Sequence, residues 1–417
     1  MSALAKFERR YKADNADLAL KDWDQLIASN APDWVQAFRK RGHEIVVEAG
    51  LPTPKLERFK YFNLPAWLKK QELSYQSFEF EINGPTNFAS VANDDFSNVP
   101  DWAQDLITAQ PLGEEKYGDL MLERLSDAFF SDALIIDVPE GEQITEPLHL
   151  KIPNKENAFL CPRIIVRVGR NADFTLHEEH QATHAQWNNA IIKIIVEEGA
   201  RFCHYRYNMN GDQSCFTQNT SVHVAGNATY EAFTLTAGEG LSRNQVHVEL
   251  QGAEASCDVN GINLLSNAQN ADTTITIEHQ APNCRSNQNY RNVVTDKATG
   301  IFQGKVHVHR VAQQTDGYQL SNSLVLSHAA TMNTKPELEI YADDVKCSHG
   351  ATTGRIDDEA LFYLRSRGIP EEEARSILIQ AFVSEVIEEI SHEATSEDVI
   401  YKLSQWLSTA SLTFEAR

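Results

Sequence analysis

The sequence predicts a mainly β protein in which a stacked β-solenoid forms the core and helical domains flank it. Three observations favour this class. Short runs with alternating apolar residues fill residues 131–346, a glycine turn recurs every 26 to 30 residues from Gly169 to Gly252, and both ends of the chain carry apolar residues at helical spacing. Alternation with period two is typical of strands, and a fixed recurrence of this length is typical of stacked repeats.

The core, residues 131–346, is predicted from its repeat. Glycine turns follow short strands at Gly169, Gly199, Gly226 and Gly252. One coil of a solenoid cannot bury its apolar face alone, so stacked coils pair each strand with its copies and close a continuous core. Residues 260–292 are rich in asparagine, which accepts left-handed turn geometry and can hydrogen-bond from coil to coil. A sandwich or a barrel would also show many short strands, and the glycine period fades after Gly252.

Residues 1–130 are expected to form a mainly helical N-terminal domain. Apolar residues recur at helical spacing from Leu18 to Leu26, from Trp34 to Phe38 and from Leu120 to Phe130. Pro32 suits the first turn of the second of these helices, where its missing N–H costs little. Residues 78–82 alternate with period two, which predicts an isolated strand within this domain.

Residues 347–417 are expected to form a C-terminal helical domain. Pro370 and the three glutamates after it suit the start of a helix, because carboxylates complement the positive end of the helix dipole. The helix over 374–390 would present one broad apolar face that includes Ile377, Phe382 and Val386, and a last helix would follow over 399–407. We expect these faces to dock on the end of the solenoid, with some apolar surface left for a partner protein.

The composition restricts the classes of function. The 417 residues carry a net charge of −22, and so acidic a surface repels the phosphates of nucleic acids and of anionic lipids. No apolar run approaches the ~20 residues of a membrane-spanning helix, and the charged N-terminal residues lack the apolar core of a signal peptide. We therefore expect a cytoplasmic protein that binds neither nucleic acid nor membrane, and whose cysteines are free thiols.

Two histidine motifs are candidate metal sites with simpler structural alternatives. His177-Glu178-Glu179-His180 has suitable side chains, but residues 177 and 180 of a strand point to opposite faces. In His307-Val308-His309 the two imidazoles share one face and could bind one ion, although a hydrogen-bonded pair on a sheet surface is more common. The six scattered cysteines contain no pair with the spacing of a structural zinc site.

The junction between the predicted solenoid and the helical tail is a further candidate. If the last strand runs through Cys347 and His349, the two side chains are two residues apart and face the same way. A thiol beside an imidazole suits a soft or borderline metal, including iron bound together with sulfur. Two ligands are too few for a closed site, so we expect the remaining ligands to come from elsewhere, notably from another subunit.

Three segments of the chain resemble one known family. Residues 335–368, which contain KCSHGAT at 346–352, are similar to the signature of the SufB/SufD family of iron–sulfur cluster assembly proteins. Residues 51–64 resemble the N-terminal element of that family, with Phe59 and Phe62 where tryptophan and threonine are more usual. Residues 279–319 resemble its core. The KCSHGAT form is typical of the SufD branch.

The resemblance implies a right-handed parallel β-helix and a non-catalytic scaffold subunit of the SUF complex. The implied partners are SufB, bound through the ends of the two β-helices, and the ABC-type ATPase SufC, bound through the C-terminal helices. His349, with Cys347 in a lesser role, would hold a transient iron–sulfur cluster or iron shared with SufB. The residues that we expect to dock SufC are apolar residues of the C-terminal helices: Leu361, Phe362, Leu364, Ile377 and Phe382.

Several alternatives stay open on the sequence. ATP would enter the complex only through SufC, because this chain has no GxxxxGKS or GxxxxGKT loop. A flavin could join the complex, and the chain could form a homodimer without SufB. The alternative classes of function are a stand-alone iron-binding protein and a β-helix enzyme that acts on polysaccharides.

Overall fold

The computed structural model describes residues 15–27, 31–93, 96–110, 120–209, 211–238 and 240–410. Strands make up 42% of the structure and helices 25%, and a parallel β-solenoid of about 8 turns forms its core. The predicted class, a mainly β solenoid with helices on both sides in sequence, is confirmed. None of the described helices combines the length and the apolar character that crossing a membrane requires.

The N-terminal region combines short helices with three short strands. The stretch predicted as one helix from Leu18 to Leu26 forms two, and Pro32 lies just before the third helix, at its N-cap. The elements are α1 Asp17–Leu20, α2 Trp23–Ile27, α3 Asp33–Ala49, α4 Leu64–Leu68, α5 Asp101–Thr108, α6 Met121–Ala128, β1 Ser74–Tyr75, β2 Glu81–Asn83 and β3 Ala89–Asn93.

The solenoid itself alternates between two sheets. From β7 onward, the odd-numbered strands lie side by side in sheet A and the even-numbered strands in sheet B, so each coil contributes one strand to each sheet. The strands are β4 Asp132–Val138, β5 Leu148–Ile152, β6 Ala158–Leu160, β7 Arg163–Val168, β8 Asp173–His180, β9 Gln186–Val196, β10 Arg201–Asn208, β11 Cys215–Val224, β12 Thr229–Ala237, β13 Leu241–Leu250, β14 Ser256–Leu265, β15 Asn270–His279, β16 Arg285–Val294, β17 Thr299–Val308, β18 Thr315–Val325, β19 Thr331–Ile340 and β20 Val345–Gly354.

In seven successive coils, from the β4–β5 turn to the β17–β18 turn, one residue with positive φ lies where the chain passes from sheet A to sheet B. These residues are Gly141, Asn171, Gly199, Asn227, Glu254, Asn283 and Gln314. Their backbone N–H groups donate to the next coil, for example from Gly199 to the carbonyl of Gly226 at 3.0 Å. The repeat therefore continues past Gly252. Of the four glycines that marked the period, Gly199 alone occupies the left-handed position, and asparagine and other residues take that position in the other coils.

The interior of the coils is partly apolar and partly polar. Residues from both sheets form the apolar part, among them Val222 and Val248 of sheet A and the stacked rings of Phe174 and Phe202 of sheet B. In the polar part, the side-chain amide of Asn263 donates to Oδ1 of Asn292 in the next coil at 2.8 Å. The asparagine contact between coils that the composition suggested is therefore present.

The two ends of the solenoid differ. At its start, β3 pairs antiparallel with β4 and β2 pairs antiparallel with β5. The prediction of an isolated strand over 78–82 is therefore wrong, because β2 adds to sheet B. At the other end, no strand among the described residues pairs with the outer edges of β19 and β20. The last coil thus presents unpaired backbone N–H and C=O groups.

The C-terminal helices pack along the flank of the solenoid. They are α7 Asp358–Ser366, α8 Glu371–Ile387 and α9 Glu393–Thr409. Their buried residues, such as Ile379 and Val383, contact outward residues of sheet B, such as Phe233 and Leu264. The expectation that they dock on the solenoid end is wrong. Strand β20 also continues beyond the boundary expected at residue 347, so the helical tail begins only at Asp358.

The turns between coils yield a test of how tightly the coils stack. A methyl group on Gly252 would collide with the backbone of Gly226 in the preceding coil, whereas a methyl group on Gly226 would lie 3.3 Å from the carbonyl oxygen of Ala253. We expect Gly252→Ala to lower the free energy of unfolding by about 1–3 kcal/mol, the usual cost of overpacking. Gly226→Ala should cost less than ~1 kcal/mol. Urea unfolding followed by tryptophan fluorescence measures the free energy of unfolding of both variants. Equal losses of stability in the two variants would contradict this account of the stacking.

Candidate metal site at the open end of the solenoid

Cys347 and His349 lie on β20, the last strand of the solenoid. In the parallel register of sheet B, Cys347 is opposite Gly317 and His349 is opposite Gln319. Gly317 and Gln319 belong to the buried, inward-facing set of β18. Because side chains at alternate positions share a face, both Cys347 and His349 point toward the interior of the last coil.

The surroundings of the two side chains differ. Cys347 is half-buried and packs against the apolar cluster of Val306 and Val308. Burial raises the pKa of its thiol, and the nearby carboxylate of Asp316 raises it further. His349 is exposed. The site therefore offers an accessible imidazole and, behind it, a thiol that is mostly protonated at neutral pH.

A row of buried amides continues inward from His349. Gln319 is opposite Gln288 of the preceding coil, and both side chains are buried. Neither side-chain amide has a hydrogen-bond partner among the described residues. Gly304 of sheet A faces them, and a Cβ there would lie 2.9 Å from Oε1 of Gln288 and 3.0 Å from Nε2 of Gln319. Polar atoms therefore line the space on the inner side of the His349 imidazole. A buried polar or charged ligand needs such polar partners.

The site is incomplete within this chain. Among the described residues, the groups of three or more potential metal ligands do not include Cys347 or His349. Thiolate and imidazole are established ligands of iron in iron–sulfur chemistry, but a cluster needs more than two of them. Any further ligands would have to approach from the open end, where the edges of β19 and β20 are free.

Exposed apolar side chains occupy the same end. We call Val311, Tyr318, Ile340 and Tyr341 the open-end patch, since all four lie on the last two coils and each is at least 38% exposed. Exposed apolar residues that cluster beside a free sheet edge favour a protein interface. Tyr318 points away from the interior because its neighbours on the strand, Gly317 and Gln319, face inward.

The five residues expected to dock SufC separate into exposed and buried groups. Phe362 is 74% exposed and Ile377 is 38% exposed. Leu364 and Phe382 are half-buried, and the ring of Phe382 lies under the guanidinium of Arg291. Leu361 is buried in the cluster that joins the helices to sheet B. Leu361 is thus a packing residue, which corrects its expected place on a docking surface.

The motif at 177–180 does not form a metal site. His180 faces the interior, where its Nε2 lies 2.5 Å from Oε1 of Glu178. His177 faces outward and its Nε2 lies 3.0 Å from the hydroxyl of Thr395 in α9. The two imidazoles are on opposite faces of β8, as the alternation predicted. His307 and His309 do share a face, and their rings stack with centroids 4.3 Å apart.

The structure defines a parallel β-solenoid protein with a free terminal edge that carries a thiol and an imidazole. Comparison with known proteins gives the family. Residues 151–382 match the family model described as SUF system FeS cluster assembly, SufBD core domain. The chain belongs to the SufB/SufD family of iron–sulfur cluster assembly proteins.

Individual relatives agree with this assignment. The iron–sulfur cluster assembly protein SufD of Escherichia coli is 27% identical over 94% of this chain and 98% of its own length. A SufBD family protein of Synechocystis is 32% identical over 68% of this chain, and the chloroplastic protein ABCI7 of Arabidopsis thaliana is 32% identical over 70%. The matches span 65% and 64% of those two proteins. The resemblance to SufD seen in the sequence is confirmed.

The exposure of the cysteines predicts selective thiol chemistry at this site. Cys347 is half-buried, whereas the other five cysteines are buried. A thiol-reactive aromatic disulfide should therefore modify about one thiol per folded chain, slowly at neutral pH and faster as the pH approaches the raised pKa of Cys347. Absorbance of the released thiolate measures the reaction. Cys347→Ser should abolish most of this reaction, and an unchanged reaction in that variant would show that another cysteine reacts.

Proposed function

We propose that this chain is a non-catalytic scaffold subunit of an iron–sulfur cluster assembly complex, in which a SufB subunit abuts the open end of the solenoid. The nascent cluster or its iron is then held between Cys347 and His349 on one side and ligands of SufB on the other. The observation that carries this proposal is the incomplete site on β20, because two ligands on a free edge strand suit a metal site shared with a partner.

The free edges supply the means of association. The unpaired backbone groups of β19 and β20 can continue their ladders with strands of a second solenoid. The open-end patch adds apolar surface at the same place. A second copy of this chain has the same edge, so a homodimer is the form expected when SufB is absent. The six cysteines are all free thiols, which suits a reducing compartment such as the cytoplasm.

The C-terminal helices are the proposed dock for SufC, and ATP acts on the complex only there. Phe362 and Ile377 present exposed apolar surface on α7 and α8, and Tyr363 beside Phe362 is 56% exposed. Aromatic residues of this kind dominate binding energy when a partner covers them. The buried contacts of these helices with sheet B stay intact in such a complex.

Movement of these helices would reach the metal ligands through sheet B. On α8, Glu385 forms an ion pair with Arg291 of β16 at 2.5 Å, and β16, β18 and β20 are successive strands of the sheet. We place the hinge at Gly354, the last residue of β20, since Gly350 is held inside the strand opposite Leu320. ATP binding shifts this equilibrium only if SufC binds the two arrangements with different affinity.

The central prediction concerns the imidazole. His349→Ala should leave folding and the association with SufC and SufB intact, since the side chain is exposed. The yield of cluster after anaerobic reconstitution of the complex should fall at least about tenfold, the scale of loss when a metal site is impaired. Absorbance and iron content per complex measure the yield. His328→Ala, on a histidine outside β20, is the matched control, and a normal yield from His349→Ala would overturn the assignment.

The docking surface is tested at its most exposed residue. Phe362→Ala should weaken binding of SufC by about 2 kcal/mol, or roughly thirtyfold in Kd, if the ring is a main anchor of the interface. Binding is measured by calorimetry with purified SufC. Val47→Ala removes an exposed apolar side chain from α3, away from α7, and should leave Kd unchanged. Equal affinities of SufC for the two variants would show that Phe362 on α7 is not part of the SufC binding site.

A further inference from the structure

A cluster of histidine and glutamate side chains lies on the outer face of sheet A, apart from Cys347 and His349. It consists of His247 on β13, Glu278 on β15, His307 on β17 and His309 just after that strand, and we call it the His–Glu cluster. Glu278 and His307 are direct neighbours in the register of the parallel strands. Their inward neighbours Ile277, Val306 and Val308 are buried in the core, so the cluster faces outward.

Three imidazoles converge on the one carboxylate of Glu278. Nε2 of His309 lies 3.0 Å from Oε2, and Nδ1 of His307 lies 3.8 Å from the same oxygen. Nε2 of His247 lies 3.1 Å from the other oxygen, Oε1. That contact does not have hydrogen-bond geometry, and the nitrogen is buried without a hydrogen-bond partner among the described residues. Oε2 also accepts a hydrogen bond from the side-chain amide of Gln280 at 3.4 Å, so His309 and Gln280 are the hydrogen-bond partners of this oxygen among the described residues.

The cluster is sheltered on one side and open on the other. The Glu278 side chain is 11% exposed and that of His307 is 16% exposed, whereas His309 is 38% exposed. Nearby positive charge is already paired, because Lys305 binds Glu339 at 3.0 Å. The neighbouring imidazoles of His247, His309 and His307 lower the pKa of the Glu278 carboxyl to about 2, although burial acts to raise it. The carboxylate is therefore ionised, and solvent has access at His309.

We propose that Glu278, His307 and His309 bind a divalent transition-metal cation on the outer face of sheet A. Oε2 of Glu278, Nδ1 of His307 and Nε2 of His309 are the ligand atoms, and these atoms lie within 4.8 Å of one another. Metal–ligand bonds of about 2.0–2.1 Å in tetrahedral geometry place neighbouring ligand atoms about 3.3 Å apart, which the observed 3.0 and 3.8 Å bracket. His247 then orients the carboxylate from its second oxygen.

The ligand types define the class of cation. Two imidazoles and one carboxylate favour zinc or iron(II) over magnesium and calcium, which prefer oxygen ligands. Three protein ligands leave coordination positions for water on the side where His309 is exposed. The site needs neither SufB nor the ligands on β20, so it goes beyond the proposed function and can fail or succeed independently of it.

Anaerobic titration with Co²⁺, a spectroscopic probe for zinc and iron(II) sites, tests the proposal. The full chain carries Cys347→Ser and His349→Ala, so that binding at the open end does not contribute. We expect about one equivalent of Co²⁺ with the visible absorption of nitrogen and oxygen ligands, and a rise in Tm that Mg²⁺ does not produce. His307→Ala and Glu278→Gln should each weaken binding at least about tenfold.

His184→Ala, which removes an exposed histidine from the loop before β9, is the matched control and should bind Co²⁺ as before. Circular dichroism in the absence of metal shows whether each variant is folded, and His309→Ala gives a second variant with little buried surface to lose. Absence of binding, or binding unchanged by both His307→Ala and His309→Ala, overturns the proposal.

Discussion

A parallel solenoid cannot satisfy the backbone of its own last coil, and this constraint governs the arrangement of the whole molecule. Within the stack, every strand has a neighbour on each side. At the start, β2 and β3 from the N-terminal region cover the first coil by antiparallel pairing. The last coil has no such cover among the described residues. Placing Cys347 and His349 on that uncovered strand makes any chemistry there dependent on what pairs with it.

The sequence predicts the stacking better than it predicts which side of a strand faces inward. Recurrent turns follow from the backbone geometry of each coil, so even four glycines reveal the period. In β18, however, Gly317, Gln319 and Ser321 face inward while Tyr318 and Leu320 face outward. Assigning the apolar residues of β18 to the core would therefore predict the wrong inward-facing side for this strand. The inward positions of this part of β18 are polar, and of its outward side chains Leu324 packs against the C-terminal helices whereas Tyr318 stays exposed.

The position of the C-terminal helices could not be predicted for a related reason. The prediction of one broad apolar face on α8 is wrong, because the helix carries apolar residues on several sides: Val386 is buried whereas Ile377 is exposed. Polar contacts help to hold the buried face of α8 against sheet B. Glu385 binds Arg291, and Glu389, just after the helix, accepts hydrogen bonds from Asn260 and Asn289. These partners lie far away in sequence. The chosen face buries Ile379 and Val383 and leaves Ile377 for solvent, and only the assembled sheet determines that choice.

The two candidate metal sites lie on different sheets, so the C-terminal helices act directly on only one of them. The helices that are proposed to bind SufC contact only sheet B among the two sheets in their main apolar cluster. A displacement of α8 therefore acts first on the ladder that ends in Cys347 and His349. The His–Glu cluster belongs to sheet A, which the N-terminal helices brace through residues such as Trp187 and Leu241. His307 of the cluster contacts the ring of Tyr341 in the open-end patch, with centroids 5.5 Å apart, so a partner that covers the open end would reach the cluster through sheet A and the open-end ligands through sheet B.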